Sequence, residues 1–185
     1  MTSAQRFTID EGDAGVRQTV ARMADLIRAG VATPAARRVA TQIVANVVPT
    51  DYLAQIYAIR AYLTEHIQFL RDPSGVELLH TPDLLLSMIA ENGAAYVDCD
   101  DAAILGGTLA GAIGMRVALV TVAFLDTKQP NRYADMSHIW ASVSPPSGMY
   151  DDAGNQLWIE LDATRPFQAL PLHAIARSDV FPVIV

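Results

Sequence analysis

Val97-Asp98-Cys99-Asp100-Asp101-Ala102-Ala103 holds the single cysteine of the chain at the point where a run of small and apolar residues begins. An aspartate before a helical run is a strong N-cap, so the segment predicts a helix opening at Cys99 and running to about Ile113, with Gly114 as its stop. Ala102, Leu105, Leu109 and Ile113 fall on one stripe, and Cys99 lies three residues before Ala102 on the same face. Gly106, Gly107 and Gly111 each cost a helix about 1 kcal/mol relative to alanine. That cost is offset if neighbouring elements approach closely, which puts this helix at the centre of the fold.

Upstream, the sequence reads as helices. Val16, Val20, Met23 and Ile27 form one stripe ended by Gly30, and Thr33-Pro34 opens a second helix with Val39, Ile43 and Val47 as its apolar face. Thr50-Asp51 opens a third, carrying Tyr52, Ile56, Ile59, Leu63 and Ile67, which ends before the turn cluster Arg71-Asp72-Pro73-Ser74-Gly75. A short extended piece, Val76 to Leu79, leads to Thr81-Pro82 and a helix over Asp83 to Glu91, with Gly93 in the C′ position.

Downstream the pattern changes. Val117 to Phe124 is a nearly continuous apolar, β-branched run, and His138 to Val143 and Leu157 to Ala163 read as two further strands. The order, helices first and then strands, predicts an α+β fold in which the central Cys99 helix packs on an antiparallel sheet. We expect an N-terminal helical region over residues 1–75 and a core over 76–185, together one compact domain; internal repeats and low-complexity segments are absent from the sequence.

With 185 residues, 51% of them hydrophobic and 18% charged, the chain has material for a substantial core. A net charge of −7 with scattered Lys and Arg argues against nucleic-acid and anionic-membrane partners. One cysteine excludes an internal disulfide and a multi-thiolate zinc site. The N-terminus lacks a signal-like apolar stretch and no run approaches a membrane span, so the expectation is a cytoplasmic protein without a cofactor.

A thiol at a helix start is well placed for activation, because backbone N–H groups and the helix dipole favour thiolate. If the last two strands pair with Val143 opposite Leu157, His138 faces Asp162, and the carboxylate fixes the imidazole tautomer. A Cys99–His138–Asp162 group would attack a carbonyl carbon and pass through a thioester, with the Cys99 N–H donating to the oxyanion. The acidic neighbours oppose a thiolate. Asp98 as N-cap and Asp101 as capping-box partner are assigned to backbone N–H groups, while Asp100 is expected to point away or to form a structural pair. Trp140 shares a strand face with His138 and would shield the site.

Asp98-Cys99-Asp100-Asp101-Ala102-Ala103, His138-Ile139-Trp140 and Trp158-Ile159-Glu160-Leu161-Asp162-Ala163-Thr164 together resemble the bacterial and phage-type transglutaminase-like superfamily, over roughly Pro82 to Pro166. Phe69-Leu70-Arg71-Asp72-Pro73 and Leu79-His80-Thr81-Pro82 resemble the lead-in of its phage-associated members. The resemblance implies a papain-like core and a triad of Cys99, His138 and Asp162 acting on an amide or peptide bond of a protein or peptide substrate. It covers transglutaminases, peptidases, amidases and members without activity, so an inactive scaffold or binding protein is the alternative. The sequence offers no clear second oxyanion donor; Tyr96 and Asn92 are the candidates. A metal-dependent hydrolase using Asp98, Asp100 and His138 is a third reading. His66 is read as surface or packing, His80 as a cap or turn residue with a place in a cleft wall as the alternative, and His173 as part of a Pro-flanked tail; Asp162 has a cap on the turn at Ala163-Thr164 as its alternative role.

Overall fold

The computed structural model describes residues 8–73, 77–124, 138–164 and 175–185, with backbone alone at 176. Val76, Ser74-Gly75, Pro166 and His173, all part of the sequence reading, lie outside the described residues.

Three helices come first. In α1 (Gly12–Val31) Val20, Met23 and Ile27 are buried along one stripe. In α2 (Pro34–Ile43) the Thr33 hydroxyl accepts the Ala36 N–H at 3.2 Å, the cap that Thr33-Pro34 predicts. The inward face of α2 is not the expected Val39-Ile43-Val47 row. Ala36 and Ala40 are buried, and Val39 and Ile43 sit at the margin, because small residues let α2 lie close against its neighbours. In α3 (Tyr52–His66) the Asp51 carboxylate caps Ala54 N–H at 2.9 Å, and Ile56, Ile59 and Leu63 are buried.

Ile67 leaves the helix to begin β1 (Ile67–Phe69), which pairs in parallel with β2 (Ala95–Val97). Between them α4 (Pro82–Asn92) starts on the Thr81 hydroxyl and ends at Gly93, whose φ of 80° is the left-handed conformation glycine adopts without strain. The expected extended piece is no strand over the described residues 77–79.

At the centre is α5 (Cys99–Ala112). Residues 100–111 are buried around the whole circumference, not along one stripe. The four preceding helices pack on it, and β3 (Arg116–Phe124) and β4 (His138–Ser144) cover another side. The glycines fit this crowding. A Cβ on Gly107 would stand 2.9 Å from Ile27 Cδ1 and 3.1 Å from Val117 Cγ1, both buried. Gly107→Val therefore overpacks the α1–α5–β3 junction, and we expect a loss of about 2–3 kcal/mol, measured as a lower urea midpoint at unchanged slope.

β3 and β4 belong to a four-stranded antiparallel sheet of order β5-β4-β3-β6, with β5 (Ile159–Glu160) and β6 (Ile175–Val183) at its edges. The fold is α+β, with the cysteine-bearing helix packed on an antiparallel sheet. Two features differ from the sequence reading. β6 takes its strand from the tail. β5 is shorter than Leu157–Ala163, and its register has Val143 opposite Ile159, two residues on from Leu157. The connection explains the shift: Leu157 N–H donates to the Met149 carbonyl at 2.6 Å and Tyr150 bridges Gln156, so this part of the chain pairs within its own loop before rejoining β4. A two-residue shift preserves side-chain parity, so every residue keeps its face.

Candidate active site

Asp98 caps α5 as expected, its carboxylate accepting the Asp100 N–H at 3.1 Å. That cap fixes the first helical turn and with it Cys99, whose side chain is half-buried. The Ile139 N–H donates to the sulfur. Alternation along β4 sends Ile139, Ala141 and Val143 into the core and puts His138, Trp140 and Ser142 on the opposite face. A strand N–H lies in the plane of the sheet, so the bond from Ile139 meets the thiol from the strand's side and not through either face. Ala141 accepts Leu161 N–H at 2.8 Å, so Ile139, two residues away, also directs its backbone toward the β5 side. The N–H of Ile139 thus links the sulfur to the backbone of the residue after His138.

His138 Nε2 is 2.6 Å from Asp162 Oδ2, and both side chains are buried. The shifted register makes the two residues diagonal neighbours, a distance that side chains of this length span. Burial acts against the Asp162 charge, but hydrogen bonds from His138 and Thr164 outweigh it and hold the acid below the ordinary carboxylate range. An ionised carboxylate only accepts, so Nε2 carries the hydrogen and Nδ1 is the basic nitrogen. Asp162 Oδ1 is occupied by Thr164, through its N–H at 2.9 Å and its hydroxyl at 2.7 Å. Trp140 lies against the imidazole with ring centroids 5.6 Å apart, and its indole N–H donates to Ser142 at 3.1 Å.

The acidic neighbours of the thiol differ in part from the sequence reading. Asp100 takes the second of its two expected places: it does not point away but pairs with the Glu77 carboxyl, and the thiol also donates to its Oδ1 at 3.6 Å. Burial pushes Asp100 well above the usual range, and the Glu77 carboxyl hydrogen-bonded to it pushes further. Asp101 forms no capping box. It is 1% exposed and accepts the His80 N–H at 2.7 Å and the His80 ring Nδ1 at 2.5 Å. His80 is thus a partner of the cysteine helix and not a cap. Tyr96 is 63% exposed on β2, and Asn92 is exposed at the end of α4.

Burial raises the thiol pKa most, followed by the Asp100 charge; the Ile139 N–H opposes them. The resting sulfur is therefore a neutral thiol, contrary to the lowered pKa expected at a helix start. Local desolvation and carboxylates outweigh the dipole. Asp98 is pushed up to about 6, by burial first and then by Asp72 and Asp101, against the favourable Asp100 N–H. An acid with a raised folded-state pKa contributes stability at low pH that is lost as pH rises from about 4 through 6. Asparagine caps equally well without the charge. Asp98→Asn should stabilise the chain by about 1 kcal/mol at pH 7, after discounting for solvent screening, and by nothing at pH 4, as read from urea midpoints at both pH values.

Among the described residues no three His, Cys, Asp or Glu side chains gather as a metal-binding group, so Asp98, Asp100 and His138 do not form one. No described helix is long and apolar enough to cross a membrane. The sequence reading missed Glu77 and the Ile139 N–H as neighbours of these groups, whereas the Asp162 cap on the Ala163-Thr164 turn, read there as an alternative to the pairing with His138, is formed together with that pairing. Thr164, two residues after an aspartate, carries the one local signal, that of an Asx-type turn.

No protein-family model matches the sequence, and no curated protein does. Among solved structures the chain is similar to a protein of Cytophaga hutchinsonii named "putative cysteine protease", at 16% identity and a TM-score of 0.48. The match covers 78% of this chain and 45% of that one, so the chain spans less than half of that protein's length.

Proposed function

We propose that the chain is a cysteine-dependent acyl-transfer enzyme of transglutaminase-like, papain-like type acting on amide or peptide bonds, with Cys99 as nucleophile, His138 as acid and base, and Asp162 as its orienting carboxylate. The observation that carries this reading is the site geometry. The sulfur accepts the N–H of Ile139, the residue after His138, and the ring is held by Asp162 through Nε2, leaving Nδ1 as the base.

Because the resting thiol is neutral, attack is assisted by general base. Nδ1 takes the thiol proton as the sulfur–carbon bond forms, and the carbonyl electrons move to oxygen, where the Cys99 N–H in the first helical turn donates. The tetrahedral species collapses, the carbon–nitrogen bond breaks, and the imidazolium gives its proton to the leaving amine. A water deprotonated by His138 then hydrolyses the thioester, or an amine takes the acyl group.

A second reading, an inactive scaffold on the same fold, is favoured by the raised thiol pKa and the hydrogen bond to Asp100. One experiment separates the two. An activated acyl ester incubated with the protein and quenched in acid should leave an acyl adduct on Cys99, found by mass spectrometry and removed by hydroxylamine. His138→Ala should slow its formation by about 10²-fold or more. No adduct, or equal adduct formation without His138, overturns the catalytic reading in favour of the scaffold.

A further inference from the structure

We infer that the free edge of β2 is the substrate-binding rail of this site: it takes an extended peptide as a third strand and seats a large apolar side chain on Tyr96 and Leu70. This rests on the acyl-transfer reading and adds the substrate's conformation and specificity.

Leu70 N–H donates to the Val97 carbonyl at 2.9 Å, so Val97 directs its backbone toward β1. Strand alternation then turns the Tyr96 N–H and C=O the other way. The β1–β2 sheet has two strands, and among the described residues no third strand takes that edge. A row of unpaired strand groups is a template for an extended chain. Side chains follow the same logic. Ala95 and Val97 are buried, while Gln68, Leu70 and Tyr96 share the outward face, with Leu70 57% and Tyr96 63% exposed.

The edge also leads directly into the nucleophile, and this argues for substrate as the occupant. From Tyr96 the chain passes through Val97 and Asp98 to Cys99, at most about 10 Å in extended conformation. A peptide residue paired with Tyr96 thus lies about three residues from the bond presented to the sulfur. Asp98 lies on that stretch, close enough to Asp72 for its ionisation to be opposed by that charge, and this negative charge disfavours acidic residues between the two points.

The test uses Cys99→Ala, so that binding is read without turnover, and a fluorescent library of neutral, randomised hexapeptides as probe. We expect measurable binding, with preference for an aromatic or large aliphatic residue at one position. In that background Tyr96→Pro removes the outward N–H without removing a bond to β1, and should weaken binding about 10-fold while the circular dichroism spectrum stays unchanged. Tyr96→Ala keeps the N–H and should abolish the side-chain preference. Absence of hexapeptide binding, or binding indifferent to both substitutions, overturns the inference. Failure of the catalytic reading looks different: Cys99 takes no acyl group, yet the hexapeptides still bind at the β2 edge.

Discussion

Cys99→Ala is expected to lower kcat/KM for amide hydrolysis by at least about 10³-fold and to leave the fold intact. The two halves of this expectation have separate grounds. Removing the sulfur removes the atom proposed to form the covalent intermediate, and a neutral side chain of alanine size offers no substitute. The fold is spared because Cys99 is half-buried, its N-cap bond is made by Asp98, and alanine suits a first helical turn. Asp100 keeps its hydrogen bond with Glu77, so the loss of the thiol does not strip it of its partner. The thermal midpoint should therefore move by no more than a few degrees. Activity above about one per cent of wild type in a correctly folded Cys99→Ala protein would assign the chemistry to other groups. The pH dependence adds a check with a definite sign. A thiol raised by burial and by Asp100 should alkylate slowly at pH 6 and steadily faster into the alkaline range, and Asp100→Asn should move that rise to lower pH by removing the carboxylate charge.

Local chemistry made most of the fold legible. Thr33-Pro34, Asp51 and Thr81-Pro82 announce helix starts because each cap is settled within three residues of sequence, and all three caps are formed. The Val117–Phe124 run announces a central strand because burial on both faces demands apolar residues at every position. What escaped was structure made by packing alone. β1 and β2 have three residues each, too few for a period to register, and exist because α3 and α4 deliver them side by side. β6 carries Arg177, Ser178 and Asp179 in its middle, which masks the apolar alternation of a strand. The β4–β5 register depended on hydrogen bonds inside the connecting loop, for which Pro145-Pro146-Ser147-Gly148 gives no quantitative signal.

The candidate site divides in the same way. Asp98 as cap and the meeting of His138 with Asp162 follow from short-range rules, the second surviving a wrong register because parity is what decides the face. The environment of the sulfur follows from none. Glu77 reaches Asp100 and His80 reaches Asp101 from a segment about twenty residues upstream, and only the folded chain brings those carboxyls together out of water. A helix start favours thiolate in isolation, and here burial reverses it.

Asp162→Asn is expected to be nearly as damaging as Asp162→Ala, with kcat reduced about 10³–10⁴-fold, although asparagine is isosteric and can accept a hydrogen bond. The reason lies in the other carboxylate oxygen. Thr164 offers Oδ1 two donors, and one of them is a backbone N–H that cannot rotate. An amide at position 162 must meet that N–H with its oxygen, which leaves its NH₂ facing His138. Nε2 then has to accept, so the ring hydrogen moves to Nδ1, the nitrogen proposed to take the thiol proton. Thr164→Val removes only the hydroxyl and keeps the N–H, so it should not rescue Asp162→Asn. The wild-type carboxylate avoids the conflict because it accepts on both sides, and its low pKa keeps it ionised through neutral pH. Nitrogen-15 NMR of the imidazole reads the tautomer directly: the hydrogen should sit on Nε2 in the wild type and on Nδ1 in Asp162→Asn. A variant that folds and shows the wild-type tautomer with more than a tenth of wild-type kcat would exclude Asp162 as the residue that sets the orientation of His138.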